Sequence, residues 1–435
     1  MTKKTEKKEV EKKDTTKNAE KKEVREEKQE NKKEQSTLVS IIELIAIIIA
    51  VIVVLVFFPN TVVWNIVVLL LILTLLIFVH EFGHFITSKM CGVHVYEFAL
   101  GMGPKVLGFR RKNDPTEYTL RALPIGGFCQ LAGEDMEDDE DLPKDKFLCN
   151  KPKIQRVIIL VAGVTMNFIT AIILLFFIAF IWGSTEQRSF IGGVEEGSPA
   201  FRAGIKEGDK VVGCNGYKID TWDKLSVVTT MKNKNDYIEY EILHEDGKKE
   251  TYKLIPDEYV TYEDKNILIT EENTKEKILK DNNWDEKDVT VGKKIGISAP
   301  TEKLTGFVPS IKYAFRKFAN IVIMMLMILW SLITGRIGLN ALSGPVGMYS
   351  VVGTVAKFGI ANIIYLAAYL SVNLGVLNIL PFPAFDGGRV LFIAIEAITH
   401  KKVDPKVEAA FHSVGFILLM ILMLVITCQD ILRLF

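Results

Sequence analysis

The chain has 435 residues, 49% of them apolar, with 53 Lys/Arg balanced by 53 Asp/Glu. The charges crowd into a tail and the loops and form no basic face, so no nucleic-acid partner is expected. The long uncharged runs between them exclude a purely soluble protein. Five scattered cysteines (Cys91, Cys129, Cys149, Cys214 and Cys428) contain no Cys-x-x-Cys pair, and free thiols are expected rather than a disulfide framework or a thiolate metal site.

Residues 1–37 carry 13 Lys/Arg and 10 Asp/Glu with almost no apolar side chains. Such a segment buries too little to offset its ordering entropy, so a disordered tail is expected. It does not have the form of a signal peptide. Residues 38–58 follow with one charge, Glu43, which is enough to span about 30 Å of hydrocarbon. Glu43 stands near the start of that run, where a long side chain reaches the headgroups. Further apolar runs cover 62–79, 157–182, 359–383 and about 411–428.

Basic residues set the orientation. A cytoplasmic tail sends 38–58 outward and returns 62–88 inward. The stretch 85–156 holds 11 Lys/Arg, as a cytoplasmic loop should, and Lys401, Lys402 and Lys406 mark a second. The 18 uncharged residues 318–335 are long enough to cross, but a crossing there would reverse the basic bias. An interfacial helix within 301–340, anchored by Lys312, Arg316, Lys317 and Arg336, is expected instead.

The most informative motif is His80, Glu81, Phe82, Gly83 and His84 at the end of an apolar run. Residues four apart share a helix face, so both imidazoles can reach one zinc ion. Glu81 stands off that face and is positioned as a general base toward water rather than as a ligand. The bland alternative is a set of interfacial polar residues closing a span.

Two imidazoles need a third ligand. The metzincin spacing would put a histidine where Met90 stands, and His94 and Glu97 lie past the helix in a glycine-containing loop. The better candidate is Asp386, after the run from Asn378 to Phe385 in which Pro381 and Pro383 interrupt an apolar segment. Broken helices at membrane depth mark backbone that lines a cavity. With 318–335 kept out of the span count, Asp386 falls on the cytoplasmic side together with His80 and His84.

Residues 183–300 read as a soluble module of short strands and glycine turns, with a charged insertion at about 257–290. This module resembles a PDZ domain. Together with His80–His84 and Asn-x-x-Pro-x-x-x-x-Asp-Gly-Gly from Asn378 to Gly388, the chain from about Val62 onward resembles the site-2 protease family of intramembrane metalloproteases, and within it the bacterial RseP/RasP group. Phe98–Lys105, Leu123–Phe128 and Leu342–Val346 also resemble family segments.

The resemblance implies a multi-pass α-helical membrane protein: a four-span protease core plus one extra N-terminal span, a membrane-associated β-hairpin within 89–156, and an inserted extracytoplasmic PDZ-like domain. It implies zinc on His80, His84 and Asp386, with Glu81 as catalytic base. Asn373 and Asn378, with Pro381 and Gly387 of the same motif, correspond to substrate-binding positions. Strands around Phe98–Phe109 and Tyr118–Leu131 correspond to a re-entrant hairpin whose edge receives substrate by β-addition.

The implied activity is cleavage of single-span membrane proteins or peptides already trimmed by a site-1 protease, such as anti-sigma factors or remnant signal peptides, in the bacterial cytoplasmic membrane and in contact with its lipid. The module would act as an outer filter or docking site. Three features depart from the family. Gly163–Asn167 lacks the proline of the usual third-span motif, only one PDZ-like module is visible, and the tail with its extra span has no counterpart in the four-span core. A cation-binding transporter would also use intramembrane carboxylates and broken helices, and an inactive PDZ scaffold would keep the module. Neither needs Glu81 between two ligands.

Overall fold

The computed structural model describes residues 49, 51–54, 56–58, 62–112, 114–134, 142–185, 188–231, 236–262, 265–269, 273–285, 289–300, 303–338 and 342–433. The charged tail 1–37 and most of the extra span 38–58 lie outside the described residues. No disulfide joins the five cysteines. The chain divides into two compact units between Ile159 and Leu160.

In the first unit, helix α1 (Val62–Met90) is 29 residues long, about 44 Å at 1.5 Å per residue. Eighteen apolar or neutral residues without proline or glycine start it, and Lys89 closes its last turn, where a cation meets the exposed carbonyls. A Cys91–Gly92 turn then ends the helix, with Gly92 at φ = 67°. Phe78, Phe82 and Phe85 form one stripe of α1 and pack on Phe98 with centroids 5.6, 6.4 and 4.8 Å away. Val93, Val95, Cys129, Leu131, Leu148 and Ile159 complete this core.

The expected hairpin is more elaborate. Strands β1 (Val95–Arg110) and β2 (Glu117–Leu131) pair twice: Phe98 faces both Cys129 and Tyr118, while Phe109 also faces Tyr118. Each long strand therefore contributes two rows to a four-row antiparallel sheet, in the order 127–131, 95–100, 117–121, 105–110. The folding points are glycines at positive φ, Gly101 (87°), Gly103 (84°) and Gly126 (86°), a conformation that costs any residue with a Cβ. Arg121 grips Glu97 with two nitrogens at 2.7 and 3.0 Å, tying adjacent rows together.

A clamp joins this sheet to the end of α1. Lys89 Nζ lies 2.6 Å from Asp114 Oδ1, and the same carboxylate accepts from the Thr116 N–H and the Tyr118 hydroxyl. Burial pushes the Asp114 carboxyl up, but these hydrogen bonds outweigh it and hold the group well below the usual carboxylate range.

Helix α2 (Lys153–Trp182) runs unbroken from the first unit into the second, so the proline missing from Gly163–Asn167 leaves a continuous 30-residue helix. The module after it has a four-stranded sheet built from β3 (Lys210–Cys214), β4 (Tyr217–Lys218), β5 (Ile238–Leu243) and β6 (Lys249–Leu254) in the order β4-β3-β5-β6. Helix α3 (Trp222–Thr230) covers it, burying Leu225 and Val228 against Val211, Tyr240 and Ile242. A groove of 1140 Å³ runs between α3 and the short strand Gly193–Val194.

The segment expected as an insertion has a sheet of its own. There β7 (Asp257–Tyr262) sits between β8 (Lys265–Leu268) and β9 (Thr290–Lys294), with α4 (Lys275–Asn282) in the connection.

Helix α5 (Phe307–Ile333) contains the ambiguous uncharged stretch. By length and composition it is one of five helices among the described residues that could cross a membrane, with α1, α2 and two later helices at Ile360–Ile379 and Lys406–Leu432. Its side chains also reach the module. Lys317 pairs with Asp223 of α3 at 2.7 Å, Met327 packs on the module core, Ser331 donates to Met231 Sδ at 3.8 Å, and Arg336 reaches the Tyr217 hydroxyl. The helical contacts, from Lys317 to Ser331, extend over some 21 Å. One turn to either side of Lys317, Ala314 and Ile321 are buried against Ala171, Leu175, Ala368 and Val372.

Helix α6 (Pro345–Lys357) is capped from a distance: Asp430 Oδ2 accepts the Gly344 and Gly347 N–H groups at 2.7 and 2.8 Å. The apolar run 359–383 holds helix α7 (Ile360–Ile379), and α8 (Asp386–Thr399) follows after the expected break where Pro381 and Pro383 stand. A Cβ on Gly375 would meet the Phe168 ring at 2.4 Å, so glycine sets the close approach of α7 to α2. The last helix, α9 (Pro405–Leu432), starts earlier and ends later than the apolar run at about 411–428 suggested.

Candidate metal centre

His80 and His84 stand one turn apart on α1 and are 6% and 8% exposed. Imidazoles so deeply buried must have their nitrogens satisfied. His84 Nδ1 lies 2.8 Å from the Ile159 carbonyl oxygen. A carbonyl only accepts, so Nδ1 carries the proton and Nε2 keeps the lone pair. That Nε2 is 3.2 Å from Nε2 of His80, with the rings edge to face. Two nitrogens bound tetrahedrally at 2.0–2.1 Å lie about 3.3 Å apart. The pair therefore fits one zinc ion with almost no movement, and the carbonyl behind His84 is the outer partner that fixes a ligand's tautomer.

Glu81 is half-buried and, one residue on from His80, projects about 100° round the helix, off the face of the two histidines. The sheet edge passes over it. A Cβ built on Gly127 would lie 3.8 Å from Glu81 Cγ and 2.8 Å from the Ala99 carbonyl oxygen. The close approach to Ala99 calls for glycine, and the same stretch of backbone runs beside the Glu81 side chain.

In the second unit, Asp386 opens α8, where a carboxylate faces the positive end of the helix. The turn before it is drawn tight by Phe382 N–H to Leu380 O at 2.7 Å and Gly388 N–H to Phe385 O at 3.0 Å. Gly387 has a steric role: a Cβ would stand 2.2 Å from the Leu380 oxygen and 2.4 Å from that of Ile379. Pro381 is exposed within the break. Asn373 and Asn378 are half-buried on α7, five residues and about 140° apart, so they leave the helix on different sides. Asn373 Oδ1 is buried without a hydrogen-bond partner among the described residues. Nearby, Ser371 Oγ donates to the Asn167 carbonyl at 2.8 Å, joining α7 to α2.

Two contributors escape a reading by residue type. Ile159 acts through its backbone oxygen, which no sequence motif can reveal. Gly127 was visible only as part of a Gly-Gly pair in a β segment.

Comparison with known proteins extends the picture. Residues 68–422 match peptidase family M50. The regulator of sigma-W protease RasP of Bacillus subtilis is 32% identical over 455 residues, covering 87% of this chain and 100% of that protein. The zinc metalloprotease RasP of Shouchella clausii is 30% identical over 447 residues, covering 84% and 98%.

Zinc bound through the paired Nε2 atoms depends on both rings. Elemental analysis of the protein purified in detergent is expected to find one zinc per chain, and His80→Ala or His84→Ala should each leave only a small fraction of it. Full retention by either variant would show that the metal sits elsewhere.

Proposed function

Because the chain belongs to peptidase family M50, the site-2 protease family, and is a zinc metalloprotease with several membrane-crossing helices, we propose that it cuts single-span membrane proteins within their transmembrane helix. The observation that carries this reading is the His80–His84 pair, with Nε2 atoms 3.2 Å apart at the end of a 29-residue apolar helix. Zinc is held by His80, His84 and Asp386. The case for Asp386 is chemical: it is a carboxylate heading a helix that resumes after two prolines in an apolar stretch, and such a charge at membrane depth calls for a cation.

A bound zinc ion supplies Lewis-acid polarisation of water and of the scissile carbonyl. Glu81 takes the proton from the attacking water and delivers it to the leaving amine. The substrate helix hides its amides in its own hydrogen bonds and must unwind before attack. An edge row at 127–131, next to Glu81, is suited to re-pair the unwound segment by β-addition. Asn373, Asn378, Pro381 and Gly387 are assigned to holding that segment, a role in keeping with the unpartnered Asn373 Oδ1.

Substrates are membrane-bound anti-sigma factors or remnant signal peptides, already trimmed outside the membrane by another protease. The name of the Bacillus subtilis relative, a regulator of sigma-W protease, supports the first class. The tail, the sheet and the Lys401–Lys406 loop face the cytoplasm of a bacterial cell, and the PDZ-like module faces outward. The contacts of α5 with the module favour an interfacial depth for 318–335. A transporter or a scaffold would leave Glu81 without a task.

Replacing Glu81 with Gln keeps the shape and removes the base. Cleavage of a model transmembrane peptide in detergent should fall by about 100-fold or more while zinc content stays at one per chain; a variant that cuts at the normal rate would sink the mechanism. Ser226→Arg, at an exposed position of α3 that lines the module groove, obstructs the groove without disturbing the module core. A size filter predicts unchanged cleavage of a trimmed substrate, and a loss of about 10-fold in kcat/KM would instead make the groove a docking site.

A further inference from the structure

The turn leading into Asp386 is held from outside by α9. Ala384, two residues before Asp386, has φ = 73°, in the left-handed region that a residue with a Cβ occupies only under constraint. Two residues of α9 provide the constraint. His412 Nδ1 accepts the Ala384 backbone N–H at 3.0 Å. Three residues further on, Gly415 forms the surface on which Pro383 rests: a Cβ there would stand 1.9 Å from Pro383 Cβ and 2.7 Å from its carbonyl carbon. On the far side, a Cβ on Gly388 would come within 3.2 Å of His412 Cε1, so the imidazole is wedged between the turn and the start of α8.

The chemistry of the ring gives the contact a direction. An amide N–H only donates, so Nδ1 is the acceptor and the ring proton resides on Nε2. That nitrogen is buried with no hydrogen-bond partner among the described residues. A leucine would fill the same space in this apolar helix without an unmatched donor, so a histidine there is costly unless its acceptor is needed. The Ala384 bond is the need it meets.

We propose that His412 is a positioning residue for the metal centre: by holding the Ala384 backbone in its left-handed turn, it sets the direction in which the Asp386 carboxylate leaves the chain. The inference rests on reading Asp386 as a zinc ligand. His412 acts here through backbone alone. Outer partners of this kind typically change metal affinity or activity by about 10–100-fold when removed.

The test uses the full-length zinc-loaded protein in detergent, titrated with a chelator, and records the concentration that removes half the zinc alongside kcat and KM on a transmembrane peptide. His412→Leu removes the acceptor and is expected to release zinc at about 10–100-fold lower chelator, with kcat reduced and KM little changed. His412→Asn keeps an acceptor oxygen near the place of Nδ1 and should restore retention close to wild type. Gly415→Ala, which pushes Pro383 away, should lose zinc as the leucine variant does, and it carries the test if the leucine variant does not fold.

Wild-type retention in His412→Leu, or equal losses in the Leu and Asn variants, would overturn the proposal. Asp386→Ala separates the two readings. If it keeps zinc as wild type does, the ligand assignment fails and takes this inference with it. If it loses zinc while His412→Leu does not, only the positioning role falls.

Discussion

A buried imidazole nitrogen without a partner is costly, and the two histidines of α1 are held where one meets a backbone carbonyl and the other imidazole. His84 spends Nδ1 on the Ile159 carbonyl and turns Nε2 toward Nε2 of His80. The aromatic stripe Phe78, Phe82 and Phe85 anchors another side of α1 to the sheet, and the Lys89–Asp114 clamp ties down the helix end. With both held, the rings have little freedom to turn away. The fold of this unit therefore holds the two imidazoles in a geometry that suits one metal ion.

A second requirement is irregular backbone at a place where hydrocarbon would not tolerate it. The break between α7 and α8 is packed tightly enough that Gly387 and Gly388 cannot carry a side chain, and its one left-handed alanine is held by His412. Glycines do similar work in the sheet, where Gly101, Gly103 and Gly126 let two long strands make four rows. These are positions where backbone conformation, rather than side-chain chemistry, determines what the neighbouring functional groups face.

Much of this was legible in the sequence because its signal is local. The spacing of His80 and His84 puts both rings on one helix face, and Pro381 with Pro383 marks the place where α7 stops. What was not legible depends on partners far along the chain. The double pairing of β1 and β2 follows from register after a bend, which alternation of residue types does not encode. Hydropathy registers the uncharged stretch of α5 but not that Lys317, Met327, Ser331 and Arg336 reach the module. Ile159 contributes a carbonyl, and every residue has one. His412 was a lone histidine in an apolar run, and its acceptor role depends on a turn 28 residues earlier.

The most direct test of a two-histidine, carboxylate-completed zinc centre is X-ray absorption at the zinc edge of the detergent-purified protein. Nitrogen and oxygen neighbours at about 2.0–2.2 Å are expected, with the outer-shell scattering of two imidazoles and no sulfur. A shell at about 2.3 Å from cysteine sulfur, or scattering from fewer than two imidazoles, would contradict it.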